Sequence, residues 1–201
     1  RLPIAPPDWA VLTEVAGAKG AAMQERLEAA LAEAMEDGLV EDAALAASLS
    51  QREAMWQVRE LLPEANRKVG SVSSHDVSIP LSRIAGFIKA ANAAIAAIDP
   101  GLRVNDFGHL GDGNLHYNIF PALGKTRADH DGQRDAIKRA VHDLVHEAGG
   151  SVSAEHGIGR FKIDDLQLYC DPAKQAGMRA IKAALDPLGI LNPGAVLAAR
   201  G

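Results

Sequence analysis

The spacing of apolar residues along the chain predicts a mixture of helices and strands. Several stretches repeat apolar residues every three or four positions, which is the period of a helix with one buried face. The strongest of them is 82–98, which the Asp-Pro-Gly run at 99–101 would end. The predicted helices are residues 21–38, 41–62, 82–98, 133–148 and 172–188. Strands are predicted at residues 9–15, 76–80 and 151–156.

A hairpin is predicted at residues 104–120, which read VNDFGHLGDGNLHYNIF. Two strand-like runs flank an Asp-Gly pair, which is typical of a two-residue type I′ turn. Counting outward from Asp112 and Gly113 places His109 opposite His116, with Asn118 on the same face. Facing side chains have Cβ atoms about 5 Å apart, so both imidazoles could reach one ion. The hairpin therefore supports a metal site or a proton-transfer site, and the alternative is two histidines on a solvated surface.

These elements predict an α+β fold, with an antiparallel sheet and helices packed on one of its faces. The 201 residues are enough for one domain or for two small halves that pack together. Hydrophobic residues make up 47% of the chain, so it can bury a core, although only 4% of its residues are aromatic.

Charge and cysteine content exclude several classes of protein. The net charge of −5 argues against binding to nucleic acid, which requires a basic surface. The single cysteine, Cys170, excludes an internal disulfide and a cysteine-based zinc cluster, and it suits a reducing cytoplasm. No apolar run approaches the roughly 20 residues of a membrane span, so none is expected. The chain begins with Arg1 instead of Met, and we expect it to be a fragment.

A second cluster of candidate residues lies in SAEHGIGRFK, residues 153–162. Adjacent residues of a regular strand point to opposite faces, so Glu155 and His156 can serve one site only if the backbone bends. Gly157 would allow that bend. Glu155 with His109 and His116 would form a His-His-Glu set with positions open for water or substrate. The alternative is a salt-bridged glutamate beside a surface histidine.

Three motifs taken together, GHLGDGNLHYN, SAEHGIGRFK and LDPLGILNPG, resemble the C-terminal domain of FAD-linked oxidases. These are the D-lactate, glycolate and D-2-hydroxyglutarate dehydrogenases of the vanillyl-alcohol-oxidase-like flavoproteins. The resemblance covers almost the whole chain. It implies that residues 1–201 form one substrate-binding domain of ferredoxin-like fold, and that the FAD-binding domain lies N-terminal to it, on residues absent from this chain.

The resemblance also implies a role for four residues of the first two motifs. His109, His116 and Glu155 would bind a divalent metal, with Zn²⁺ as the first choice and Fe²⁺ or Mn²⁺ as alternatives. His156 would be the catalytic base that removes the proton of the substrate hydroxyl.

Substrate and cofactor contacts are implied in the same way. Asn118 would contact the substrate, and Arg59, seventeen residues before Asp76, would pair with its carboxylate. By itself Arg59 would be interpreted as a surface charge. Asn192 of the tail motif would contact the cofactor. Ser74 stands where relatives often carry a lysine, which argues mildly against a dicarboxylate such as 2-hydroxyglutarate.

The function implied by the resemblance is an FAD-dependent D-2-hydroxy acid dehydrogenase of the D-lactate or glycolate type. It would oxidise a small 2-hydroxy acid to the 2-oxo acid by hydride transfer to the flavin, with its own FAD-binding domain as partner. The chain by itself would bind metal without turnover. A cytoplasmic location is expected, and a homodimer is left open. The alternatives are a non-redox metal-binding module, a small metallohydrolase with the same His-His-Glu site, and an interaction domain with structural histidines.

Overall fold

The computed structural model describes residues 7–18 and 20–198. The chain divides into two compact units, Arg1–Lys68 and Val69–Gly201. The first unit contains helix α1 (Met23–Glu36) and nearly all of helix α2 (Leu49–Val69). That residues 1–201 act as one substrate-binding domain stays a prediction.

Residues 9–15 in the first unit do not form the predicted strand. A strand needs a neighbour for its backbone hydrogen bonds, and none of the described strands pairs with this segment. Side chains of α2 bind this segment, and no sheet of the described chain does. The Glu14 carboxylate accepts hydrogen bonds from Arg52 Nη2 at 2.8 Å and from Trp56 Nε1 at 2.6 Å.

Helix α2 begins later and ends later than its predicted bounds of 41 and 62. At its start, Gln51 N donates to Ser48 Oγ at 3.3 Å, a contact typical of a helix N-cap. Pro63 lies inside the helix, which continues to Val69. Proline removes one hydrogen bond but has a helical φ, so it does not have to end a helix.

The second unit contains a small antiparallel sheet and several helices, which confirms the α+β class. The strand order is β1-β3-β2, with β3 in the centre. Short 3₁₀ helices cover Leu81–Arg83 and Arg127–Gln133. The elements are β1 (Ser73–Ser78), α3 (Ile84–Ile98), β2 (Arg103–His109), β3 (Asn114–Phe120), α4 (Arg134–Glu147), α5 (Ile163–Tyr169) and α6 (Pro172–Leu185).

The apolar face of the sheet packs against α3 and α4. Alternate residues of β1 and β3, among them Val77, Leu115 and Tyr117, are buried in this core. The hydroxyl of Tyr117 donates to Asn92 Oδ1 at 2.7 Å, which satisfies a polar group that burial would otherwise penalise. The helices contribute Phe87, Ile88, Ala91, Ile95, Ile137, Val141 and Val145. The helix-covered face confirms the predicted architecture and leaves the opposite face for polar residues.

The predicted hairpin forms between β2 and β3, but its register differs by two residues. His109 pairs with Asn114, and Phe107 pairs with His116, across a four-residue turn. A type I′ turn requires a positive φ at both Asp112 and Gly113. Gly113 has a φ of 73°, but the φ of Asp112 is not positive. A shift of two residues keeps each side chain on its face, because the side-chain period of a strand is two. The two histidines therefore share a face as diagonal neighbours, and the predicted direct pairing is wrong.

The turn takes this form because it packs against the end of β1. Ile79 N donates to Gly113 O at 2.9 Å. A Cβ atom on Gly113 would lie 2.2 Å from Ile79 O, so only glycine fits. Within the turn, Asp112 Oδ1 accepts a hydrogen bond from Asn114 N at 3.0 Å. Ile79 is more than thirty residues away in the sequence, and turn statistics cannot include such a contact.

Residues 151–156 are mostly loop instead of the predicted strand. The pairing there is limited to one isolated bridge between Ser78 and Ser151. Lys162, just before α5, closes the loop by donating from Nζ to Val152 O at 2.8 Å. Gly157 has a φ of 71°, so the bend expected at that glycine is present.

One segment of the described chain, Leu81–Ile98, is long and apolar enough to cross a membrane by length and composition alone. Core helices of water-soluble proteins pass the same test. Within this segment α3 buries Phe87, Ile88, Ala91 and Ile95 in the core. That no segment spans a membrane stays a prediction.

Candidate metal and proton-transfer site

The candidate site lies on the polar face of the sheet, opposite α3 and α4. Side-chain alternation places His109 of β2 on this face together with His116 and Asn118 of β3. The loop that follows Ser151 contributes Glu155 and His156. The structure thus brings five of the predicted site residues together in the second unit.

The Glu155 carboxylate lies between the two hairpin histidines. Its Oε1 is 3.5 Å from His109 Nδ1, and its Oε2 is 3.8 Å from His116 Nε2. Two ligand atoms on a tetrahedral ion with bonds of about 2.1 Å are about 3.4 Å apart, and both distances are near this value, each to a different oxygen of Glu155. The three side chains are only partly exposed, at 40%, 18% and 45% for His109, His116 and Glu155. The described residues whose ligand atoms all lie close enough for one divalent metal are His116, Glu155 and Asp76, and His109 lies beside Glu155 outside this group.

His156 lies beside this set and is open to solvent. Its ring centroid is 6.2 Å from that of His116. Its side chain is 70% exposed, and its Nδ1 is 3.5 Å from Asp76 Oδ2. An exposed imidazole next to a cation site is placed to exchange a proton with a bound substrate.

Asp76 of β1 belongs to the site, although the sequence reasoning missed it and used it only to locate Arg59. Its Oδ2 accepts hydrogen bonds from the backbone N–H groups of Glu155 and His156, both at 2.9 Å. Its Oδ1 is buried, has no hydrogen-bond partner among the described residues, and is 3.9 Å from His116 Nδ1. Ligand atoms of Asp76, His116 and Glu155 all lie within 4.8 Å of one another. Strand β1 reads SSHDVS, so Asp76 stands among polar residues and no sequence signal distinguishes it.

The local environment sets the charges of two of these groups. Burial lowers the pKa of His116, although the nearby carboxylates of Asp76 and Glu155 oppose the shift. Burial acts to raise the pKa of Asp76, but the backbone N–H groups of His156 and Glu155, together with the charges of His156 and Lys162, lower the pKa of Asp76 overall. A neutral imidazole beside a charged carboxylate is the combination that binds a metal ion.

Asn118 is buried on the same face, two residues beyond His116 in β3. Its amide nitrogen Nδ2 donates to Asn105 O at 3.2 Å and to His116 O at 3.1 Å. These contacts fix the orientation of the side chain. The amide oxygen is consequently the atom with which Asn118 could accept a hydrogen bond from a substrate.

The remaining two predicted residues lie elsewhere. Arg59 is on α2, in the first unit. Asn192 is exposed in the tail, where its Oδ1 accepts a hydrogen bond from Arg160 Nη2 at 2.9 Å. Arg160 also donates to Pro193 O at 2.6 Å, and Val196 N donates to Gly159 O at 2.7 Å. The tail is therefore bound to the turn that follows His156.

The fold and the site together describe an α+β domain that can hold a divalent cation next to an accessible imidazole. The chain belongs to the family of the C-terminal domains of FAD linked oxidases, whose family model matches residues 2–196. This confirms the family that the three sequence motifs indicate.

Similar proteins carry the name D-2-hydroxyglutarate dehydrogenase. The chain is 37% identical over 196 residues to the probable D-2-hydroxyglutarate dehydrogenase, mitochondrial, of Oryza sativa subsp. indica, covering 98% of this chain and 34% of that protein. It is 36% identical over 187 residues to the mitochondrial D-2-hydroxyglutarate dehydrogenase of Arabidopsis thaliana, covering 93% and 32%. It is 35% identical over 182 residues to the D-2-hydroxyglutarate dehydrogenase of Stutzerimonas stutzeri, covering 89% and 39%. The chain thus spans between 32% and 39% of the length of these relatives.

Proposed function

We propose that this chain is the substrate- and metal-binding domain of an FAD-dependent D-2-hydroxy acid dehydrogenase. The enzyme would oxidise a D-2-hydroxy acid to the corresponding 2-oxo acid. The observation that carries this proposal is the Glu155 carboxylate between His109 and His116, with the exposed His156 beside it, in a chain of the FAD-linked oxidase family.

The residues His109, His116 and Glu155 would hold the divalent cation, with Zn²⁺ as the first choice and Fe²⁺ or Mn²⁺ as alternatives. Two imidazoles and one carboxylate suit any of these ions. When bound, the metal supplies Lewis-acid stabilisation of the ionised substrate hydroxyl, and the flavin supplies the acceptor for the hydride.

His156 would act as the base. Its Nδ1 faces Asp76, which leaves Nε2 to take the hydroxyl proton of the substrate. The hydroxyl proton goes to His156 and the Cα hydrogen leaves with its electron pair, so the alcohol carbon becomes a carbonyl. The departing hydride would carry the two electrons that the carbon loses, and a bound flavin would be their acceptor.

Three other residues would orient substrate and cofactor. The Oδ1 atom of Asn118 would accept a hydrogen bond at the site, because its Nδ2 already donates to two backbone oxygens. Arg59 would bind the substrate carboxylate through its planar guanidinium. Asn192 would contact the flavin, which a separate FAD-binding domain would mainly hold. Its tail is suited to this role because Arg160 binds it to the turn after His156.

The substrate could carry one carboxylate or two. Ser74 is exposed, and its hydroxyl donates to Ser71 Oγ at 2.7 Å, so it offers no positive charge to a second carboxylate. This favours D-lactate or glycolate. The names of the similar proteins favour D-2-hydroxyglutarate.

A substrate panel tests the proposal. The flavin-loaded protein, with this chain and its FAD-binding domain together, is assayed with an artificial electron acceptor on D-lactate, glycolate and D-2-hydroxyglutarate, with the L acids as matched controls. We expect one D acid or glycolate to bleach the flavin, and a chelator to abolish this until a divalent metal is restored. This chain alone should bind the metal without oxidising any acid.

Failure on every 2-hydroxy acid would refute the dehydrogenase. Metal-dependent cleavage of an ester or amide by the flavin-free chain would instead support the metallohydrolase alternative. Persistence of full activity after complete removal of metal would refute the role of the His-His-Glu set. The cytoplasmic location is part of the proposal and rests on the single cysteine, Cys170, and a homodimer is left open.

A further inference from the structure

Asp76 stands between two imidazoles of the candidate site. Its Oδ1 is 3.9 Å from Nδ1 of His116, and its Oδ2 is 3.5 Å from Nδ1 of His156. The Asp76 side chain is only 4% exposed, so solvent hardly screens its charge. Both histidines therefore present the same ring nitrogen to one buried carboxylate.

The other ring nitrogen of His116 points away from Asp76. His116 Nε2 is 3.8 Å from Glu155 Oε2, on the side where a cation would be held. A neutral imidazole carries one proton, and the group that accepts from the protonated nitrogen decides which nitrogen is bare. An Nδ1–H directed at Asp76 leaves His116 Nε2 bare for a metal, and the same arrangement in His156 leaves its Nε2 bare for a proton.

We infer that Asp76 is the positioning residue that sets the tautomer of both His116 and His156, with Nδ1 protonated and Nε2 bare. The inference rests on the proposed function for its consequences, because it says why one histidine can bind metal and the other can act as base. The two distances are longer than hydrogen bonds, so Asp76 acts on each Nδ1–H through the charge of its buried carboxylate. A carboxylate behind a metal-binding histidine is a recurrent arrangement in metal sites.

Asp76 also holds the backbone that carries the site. Besides the two N–H groups bound at Oδ2, its main-chain oxygen accepts from Ala154 N at 3.3 Å. Lys162 Nζ lies 3.5 Å from the same main-chain oxygen. A test must therefore separate the effect on the loop from the effect on the two imidazoles.

The substitution Asp76→Asn makes this separation. Its amide oxygen can replace Oδ2 as the acceptor for Glu155 N and His156 N, so the loop stays anchored. Its NH₂ group then replaces Oδ1 and presents a donor to His116 Nδ1. A donor there favours a bare Nδ1 and a protonated Nε2, which cannot bind a metal until it loses its proton.

The tautomers are measured by long-range ¹H–¹⁵N NMR of the imidazole rings in the metal-free 201-residue chain. His116→Gln and His156→Gln assign the signals. We expect Nδ1–H in both rings of the unsubstituted chain, and Nε2–H in His116 of the Asp76→Asn chain. Zinc affinity should fall by about 10-fold to 100-fold, as is typical when a partner of a ligating histidine is lost. Hydrogen exchange of the Glu155 and His156 amides should stay slow.

Asp186→Asn is the matched control. Asp186 is also buried and also accepts two consecutive backbone N–H groups, from Ile190 and Leu191 at 3.0 Å each. We expect this variant to keep both tautomers and the zinc affinity.

Two results would overturn the inference. One is a predominant Nε2–H tautomer of His116 or His156 in the unsubstituted chain, a measurement that does not depend on the folding of any variant. The other is an unchanged His116 tautomer in a folded Asp76→Asn chain. If the zinc affinity of that variant nevertheless fell, Asp76 would be a direct metal ligand. Failure of the unsubstituted chain to bind zinc would instead count against the proposed function, because the tautomers are read without metal.

Discussion

The Nδ1 atom of His75 lies 3.1 Å from Nε2 of His142, in the core on the helix-covered side of the sheet. The chain of polar contacts continues from His142 Nδ1 to Asp165 Oδ1 at 3.2 Å, and Lys138 Nζ is 2.7 Å from Asp165 Oδ2. Burial lowers the pKa of His75 to about 3, and burial also lowers the pKa of His142. These two buried imidazoles are therefore neutral at neutral pH and connect β1 to α4 and α5.

Stability should consequently fall as the pH falls from about 6.5 to about 3. In that pH range His75 binds a proton in the unfolded state and does not bind one in the folded state. Protonation therefore stabilises the unfolded state relative to the folded state. Each such proton changes the unfolding free energy by about 1.4 kcal/mol per pH unit. His75→Gln should flatten the slope, whereas His146→Gln, exposed on α4, should not. Urea denaturation, with labelled Tyr117 and Tyr169 as probes of the second unit, measures the unfolding free energy at each pH. The same dependence of this free energy on pH in all three proteins would contradict the prediction.

Gly113→Ala should destabilise the second unit by about 2 kcal/mol or more. The new Cβ would lie 2.2 Å from Ile79 O, and alanine is strained at a φ of 73°. Gly111→Ala in the same turn is the control, because a Cβ there meets no atom within 4 Å. Its effect should stay within about 0.5 kcal/mol. Comparable losses in both variants, measured by urea denaturation, would show that the contact with Ile79 does not determine the turn.

His109→Ala should lower the metal affinity of the chain by at least about 100-fold, because a ligand should contribute more than a residue behind it. Isothermal titration with Zn²⁺ and Mn²⁺ measures the change. His146→Ala removes an exposed histidine of the same unit and should leave the affinity unchanged. An unchanged affinity in His109→Ala would leave the hairpin histidine without a role in metal binding.

His156→Ala should abolish turnover in the flavin-loaded protein while its metal content stays the same. General-base catalysis typically contributes a factor of about 10² to 10⁴, so the loss should lie in that range or above it. Metal analysis and flavin reduction are measured on the same sample. Loss of the metal from this variant would refute the assignment of His156 as a base and would make it a ligand.

The sequence alone determined the class of fold and the face on which each residue of the hairpin strands lies. Periods of 3.6 and 2 residues are local properties, so the helices and the shared face of His109 and His116 could be predicted without a partner. The face assignment survived a wrong register, because a shift of two residues does not change it. The three motifs also sufficed to indicate the family.

Only the tertiary structure decided which distant groups meet. The register of the hairpin depends on the close packing of Gly113 against Ile79. The conformation of residues 9–15 depends on the ion pair between Glu14 and Arg52. Glu155 reaches the hairpin because Asp76, 79 residues earlier, binds its backbone N–H. Contacts of this kind join residues far apart in the chain, and local periodicity contains no information about them. The position of Asp76 between the imidazoles of His116 and His156 could therefore be recognised only in the folded chain.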